Sequence, residues 1–238
     1  MTKILKVLHT SDLHSKYHKL LDQLESIEGL DLWIDTGDFF PNQTRGGSAV
    51  EFKYQTKWAS SERTDIAARL AKVCLARNIK VLSVGGNHDY TSLAGLLSLA
   101  GMPPGTVYDL SSSKVSVTLC GLAFAGFREI PYIAGEWNGE TELADFRRIV
   151  DEALAHDPDV LITHSPAGGI LDEYPGGPQM RHDGIPYLTS YLMNKPHKVS
   201  HHLFGHVHED GGKTIELGGI LFSNAAHKAE GNLLEIPC

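Results

Sequence analysis

The chain has 238 residues, 42% of them hydrophobic, with 21 basic against 29 acidic side chains and a formal net charge of −8. That length can bury a substantial core, with one domain over 1–238 as the expectation, and the acidic balance disfavours binding of extended double-stranded nucleic acid or an anionic membrane. Cys74, Cys120 and Cys238 are odd in number and far apart, no segment reaches membrane-spanning length, and the N-terminal apolar run is too short for a signal peptide, so a soluble cytoplasmic protein is expected.

Ile4 to Thr10 reads as a buried strand, and Tyr17, Leu20, Leu21, Leu24 and Ile27 then recur at the spacing of one apolar helical face. A strand over residues 31–36 and a helix over 61–77 repeat this β-then-α order, the helix carrying Ile66, Leu70, Val73 and Cys74 on one side. The strand IKVLSVG follows, then a hairpin over 115–127 turning near Gly121. Residues 140–155 read as a helix with Leu143, Phe146, Val150 and Leu154 facing inward, and DVLITH as another buried strand. From Val199 onward HHLFGH, KTIEL, GILFSN and NLLEIP are short apolar runs separated by glycine-rich turns, so strands follow one another. Alternating units followed by a strand-rich end predict an α/β fold of two packed mixed β-sheets flanked by helices, an α/β/β/α sandwich. Residues 41–48 and 167–186 read as irregular, and loops of that length are commonly functional.

Polar clusters fall at the ends of these strands. SDLH places Asp12 and His14 two apart, so an extended backbone points both the same way. TGDFF delivers Asp38, VGGNHDY delivers Asn87, His88 and Asp89, and ITHSP delivers His164. HHLFGHVHED adds His206 and His208, again two apart. Asp12, His14, Asp38, Asn87, His164, His206 and His208 form an oxygen-and-nitrogen donor set without thiolate, which suits Mn, Fe, Zn or Co better than calcium or a structural zinc. Seven side chains exceed the needs of one ion, so two divalent ions are expected, with Asp38 able to bridge them. Two ions about 3.5 to 4 Å apart would bind a phosphoryl group and acidify a shared water.

Taken in order, these blocks resemble the calcineurin-like metallophosphoesterase superfamily, whose D-x-H, G-D, G-N-H-[DE], H and G-H-x-H motifs match Asp12/His14, Gly37/Asp38, Gly86 to Asp89, His164, and Gly205 to His208. The resemblance assigns Asp12, His14, Asp38 and His208 to one metal, and Asp38, Asn87, His164 and His206 to the other. It implies that His88 stabilises or protonates the leaving oxygen, that Asp89 orients His88, and that activated water attacks phosphorus in line. GDFFPNQTRG has Pro41 and Asn42 where the Ser/Thr protein phosphatases carry Asp and Arg. HTSDLH is similar to repair nucleases, but a DNA-capping domain is not expected in the 13 residues after Ala225. DVLITHSPAGGILD and HHLFGHVHEDGG are similar to small phosphodiesterases of the class III cyclic-nucleotide type. The implied activity is manganese-supported hydrolysis of a small or single-stranded phosphodiester or nucleotide, the alternatives being a phosphomonoesterase, a nucleotide pyrophosphatase or a non-catalytic metal-binding module.

Arg45, Arg181 and His182 lie in the two irregular segments, where they could contact the non-reacting part of a substrate. His9, His18, His201 and His202 are read as structural, and Glu209 and Asp210 as a solvated turn.

Overall fold

A computed structural model describes residues 3–42, 48–60, 64–175, 180–226 and 230–238. In the first sheet β1 (Ile4–Thr10), β2 (Leu32–Asp35), β3 (Lys80–Ser83) and β4 (Val107–Asp109) run parallel. Antiparallel β15 (Asn232–Pro237) lies on β1, giving the order β15-β1-β2-β3-β4. The second sheet contains β5 (Ser116–Leu119), β6 (Leu122–Phe127), β9 (Val160–Thr163), β12 (His201–Phe204), β13 (Thr214–Leu217) and β14 (Ile220–Asn224), in the order β13-β14-β12-β9-β6-β5. Its inner strands β6, β9, β12 and β14 are parallel, and β5 and β13 are antiparallel edges.

Alternation along the strands builds three apolar layers. Leu5, Val7, Leu32 and Ile34 face Val160, Ile162 and Leu203 between the sheets. The intervening Leu8 and Trp33 pack outward against α1 (Tyr17–Ser26), α3 (Thr64–Ala76) and α4 (Leu93–Leu99). On the far side Leu161 and Phe204 pack against α5 (Phe146–Leu154) and α6 (Pro186–Asn194). This is the expected sandwich. Register makes it a platform: Thr10 pairs with Asp35 and Asp35 with Ser83, so the chain leaves β1, β2 and β3 along one level edge. Parallel α/β sheets present their sites at such carboxyl ends.

Three segments differ from the sequence reading. Helix α2 (Ser48–Ser60) fills a stretch without an apolar stripe, because residues on its buried side include the polar Glu51 and Gln55. Residues 140–145 are not helical: β7 (Ile130–Pro131) pairs with β8 (Glu140–Thr141), and Leu143 is 57% exposed. The segment expected to be irregular at 167–186 contains a hairpin of β10 (Glu173–Pro175) and β11 (Met180–His182).

Candidate metal centre

Asp12 and His14 do not sit on extended backbone as their spacing predicts. Both lie past the end of β1 with left-handed φ of 54° and 41°, and Asp38 and His206 share that region at 55° and 70°. Asp, Asn and His tolerate this conformation better than other side chains, yet it costs about 1 kcal/mol or more per residue and persists where surrounding contacts enforce it. Here the Asp12 N–H donates to the Gly37 carbonyl at 2.8 Å and the His14 N–H to the Asp38 carbonyl at 3.1 Å, locking the first two loops together. Gly37, with φ of 105°, allows the third approach: a Cβ there would lie 2.6 Å from both the Gly86 nitrogen and Nδ1 of His164.

The donor atoms converge in two groups. Asp12, His14 and His208 form one, and Asp12, Asp38 and His164 the other, ligand atoms within each lying within 4.8 Å of one another. Asp38 reaches both, its Oδ2 being 3.7 Å from Nε2 of His14 and 3.6 Å from Nε2 of His164. Oδ1 of Asn87 lies 2.9 Å from Nε2 of His164 and 3.1 Å from Nδ1 of His206. His206 and His208 therefore part company, since Nε2 of His208 turns instead to Oδ1 of Asp12 at 3.0 Å.

His164 provides the test of fit. Its Nδ1–H donates to the Thr36 carbonyl at 2.7 Å, and a carbonyl can only accept, so in the neutral ring Nε2 is bare. That lone pair faces the Asn87 amide oxygen and the Asp38 carboxylate. A cation between them resolves the repulsion, and ligand atoms about 2.0 to 2.2 Å from an ion stand roughly 3 to 3.5 Å apart, close to the spacing found. The residues present fit a divalent metal.

Burial acts to raise the carboxyl of Asp12, but the hydrogen bond from His208 and the charges of His164, His208 and His14 hold it well below the usual range. Burial likewise opposes ionisation of Asp38, and the charges of His164 and His88 outweigh it, leaving its pKa lowered. His206 is pushed down to about 4, chiefly by burial with a contribution from His164, so its ring is neutral and available as a ligand. Burial acts to lower His208, but its hydrogen bond to Asp12 and the charges of Asp12 and Asp38 prevail and raise it.

His88 lies beside the cluster, its Nε2 3.9 Å from Oδ2 of Asp38. Asp89 does not orient it. Oδ2 of Asp89 accepts the N–H groups of Phe39 and Gly86 at 3.3 and 2.9 Å and Oδ1 that of Phe40 at 3.1 Å, so the carboxylate clamps the second loop to the third. Burial first, then the charge of Asp38, raises the pKa of Asp89.

Several supports escaped the sequence reading. Gln55 on α2 donates to the His88 carbonyl and accepts the Tyr90 N–H at 2.9 Å, while Arg128 donates to the carbonyls of Gly86 and Asp89 at 2.7 and 2.8 Å. The Asn224 amide donates to the carbonyls of Leu171 and Val207 at 3.0 and 2.9 Å, tethering the turn between His206 and His208. Asp210 is not part of a solvated turn: it is buried and accepts the Glu173 N–H at 3.0 Å, pinning the β10–β11 hairpin.

Above the donors lies a cleft of about 490 Å³, floored by Asp38, Asn87, His88, His206 and His208 and walled by Tyr132, Ile133, Trp137, Tyr174 and Arg181. His182 does not line it, because alternation along β11 sends its ring to the buried carboxylate of Asp172 at 2.7 Å. Arg45 lies outside the described residues. His9 and His202 are buried structural groups, bonded to Ser223 and Thr36 and to Thr163 respectively.

Comparison with known proteins closes the question of family. Residues 5–210 match the calcineurin-like phosphoesterases. The chain belongs to that family. A UPF0046 protein of Caenorhabditis elegans is 27% identical over 244 residues, covering 98% of this chain and 73% of the relative. A solved crystal structure superposes with a TM-score of 0.62 at 13% identity, over 100% of this chain and 95% of the other, a likeness of fold. For a calcineurin-like phosphoesterase the implied chemistry is metal-dependent phosphoester hydrolysis, and the Asp and His groups above are its candidate ligands. No helix among the described residues is long and apolar enough to cross a membrane.

Proposed function

We propose that this phosphoesterase is a phosphodiesterase with a dinuclear divalent metal centre, acting on small or single-stranded phosphodiesters or nucleotides. The observation that carries the preference is the charge of the cleft. Among its described lining residues Arg181 is the single Lys or Arg, set against Asp183 and Glu209 on the walls. A phosphomonoester is nearly a dianion at neutral pH, whereas a diester carries one charge. A wall with so little positive charge suits the diester and repels a polyanionic duplex.

In this reading Asp12, His14, Asp38 and His208 hold one ion, and Asp38, Asn87, His164 and His206 the other. When bound, two such ions supply Lewis-acid stabilisation of phosphoryl oxygens and acidify water near neutral pH. The chain does the rest. The Thr36 carbonyl fixes the His164 tautomer, the loop bonds hold the donors in place, and Nε2 of His88 stands where it can stabilise or protonate the oxygen that leaves as the new P–O bond forms. Arg181 meets the non-reacting portion of the substrate. Manganese is the proposed activating metal. The chain is read as one domain over 1–238, and its free cysteines suit the cytoplasm.

The test compares bis-p-nitrophenyl phosphate with p-nitrophenyl phosphate after chelator stripping and reconstitution with manganese. The diester should be hydrolysed with the higher kcat/KM. Preference for the monoester would assign the chain to the phosphatases instead.

A further inference from the structure

With Asp89 committed to three backbone N–H groups, something else must set the ring of His88. Among the described residues neither of its ring nitrogens is within hydrogen-bonding distance of a partner, the Asp38 oxygen at 3.9 Å being too far. Its neighbours are rings. His14 meets it edge-on with centroids 5.3 Å apart, and Trp137 lies against it at 4.4 Å with the planes inclined by 51°.

Trp137 is delivered by a loop with its own architecture. Residues 132–139 join β7 to β8, and one carboxylate at the end of the loop organises them. Oε1 of Glu140 accepts the N–H groups of Ile133 and Ala134 at 2.9 and 2.8 Å, and Oε2 accepts that of Trp137 at 3.3 Å. The loop then docks on the strand end that bears His88. The Asn138 N–H donates to the Asn87 carbonyl at 3.1 Å, and its side-chain amide to the Asp89 carbonyl at 2.6 Å. The backbone that carries the indole is thus held on both sides, by Glu140 at the Trp137 N–H and by Asn138 on the strand end.

We propose that Trp137 is a positioning residue for His88, carried by a loop folded around Glu140, and that it holds the imidazole at the angle needed to meet the leaving oxygen. The inference rests on the reading of His88 given above. Without the indole, the ring keeps one aromatic neighbour and gains rotational freedom, so only part of the population stands ready when the P–O bond breaks. A poor leaving group needs that proton; p-nitrophenolate does not.

The experiment measures Trp137→Leu, Trp137→Phe, His88→Ala and the double variant of His88→Ala with Trp137→Leu on two diesters, one leaving as an alkoxide and one as p-nitrophenolate. Trp137→Leu should lower kcat about tenfold on the alkyl diester, equivalent to about 1.4 kcal/mol and within reach of one aromatic contact. Its KM and its turnover of the nitrophenyl diester should stay within about twofold. Trp137→Phe should restore most of the loss, and in the His88→Ala background Trp137→Leu should cost nothing further. In the metal-free protein, the His88 ring proton resonances should move in Trp137→Leu as the indole ring current is removed. If His88→Ala keeps full turnover of the alkyl diester, the reading of His88 fails and the inference with it. If His88→Ala is impaired while Trp137→Leu affects only KM, affects both leaving groups equally, or leaves the His88 resonances in place, the inference alone is overturned.

Discussion

Replacing Asp38 by Asn separates metal binding from folding. The side chain is 2% exposed, and its Oδ2 lies 3.6 to 3.9 Å from the Nε2 atoms of His164, His14 and His88. Asparagine keeps the shape and the oxygen that accepts the His88 N–H at 2.7 Å, but removes the charge that reaches both donor groups. Groups that merely orient metal ligands cost up to about 100-fold in affinity when lost, and Asp38 should cost at least that. At a metal concentration 100 times the dissociation constant, binding stabilises a protein by about 2.7 kcal/mol; after a 100-fold loss about 0.4 kcal/mol remains. The difference, roughly 2.3 kcal/mol, is about 5 to 9 °C in melting temperature for a chain of this size. The metal-free variant loses a buried charge that His164 and His88 favour and Asp12 opposes, so it should melt below the metal-free parent, but by less than the metal-dependent shift. Calorimetry with and without manganese, beside turnover of a diester, measures both quantities. A variant that keeps the full metal-induced shift and full turnover would refute the assignment of Asp38.

Arg181→Ala should raise KM for a diester about tenfold with kcat little changed, because the guanidinium lines the wall rather than the donor cluster; a fall in kcat at constant KM would place it nearer the chemistry. Asn224→Ala removes the donor to the Leu171 and Val207 carbonyls and the acceptor of the Ala226 N–H. It should cost about 3 kcal/mol by urea unfolding and weaken metal binding, and an unchanged midpoint would count against the tether. Burial pushes His9 and His202 down to about 3, each against its ordinary 6.5. The unfolded chain therefore takes up protons that the fold refuses as pH falls below 6.5, and stability should be lost toward pH 3 at about 1.4 kcal/mol per pH unit for each ring. Urea midpoints that stay level from pH 7 to pH 5 would argue against this.

Strands β1, β2, β3, β9 and β12 were legible because each is a short, largely buried run ending at a polar cluster, and the parallel register brings those ends to one edge of each sheet. Helix α2 was not, since residues on its buried side include Glu51 and Gln55 and apolar periodicity cannot register a polar face. Leu143 misled in the opposite direction: it falls at helical spacing from Phe146, yet it lies outside α5 and is exposed. The donor residues were readable by type and place, but not the backbone that aims them, because nothing in SDLH announces that Asp12 and His14 adopt left-handed φ. The duty of Asp89 was misjudged for a related reason. A carboxylate next to a histidine in sequence need not touch its ring, and this one spends its oxygens on Phe39, Phe40 and Gly86. Trp137 and His88 are 49 positions apart, and their contact exists only once Glu140 has folded the intervening loop.

The most direct measurement is the metal content of the reconstituted protein, by elemental mass spectrometry after removal of free manganese, followed against diester turnover as metal is added. The account predicts two ions per chain, with turnover rising as the second is taken up. One ion per chain with full turnover, or turnover in the chelated protein, would contradict it.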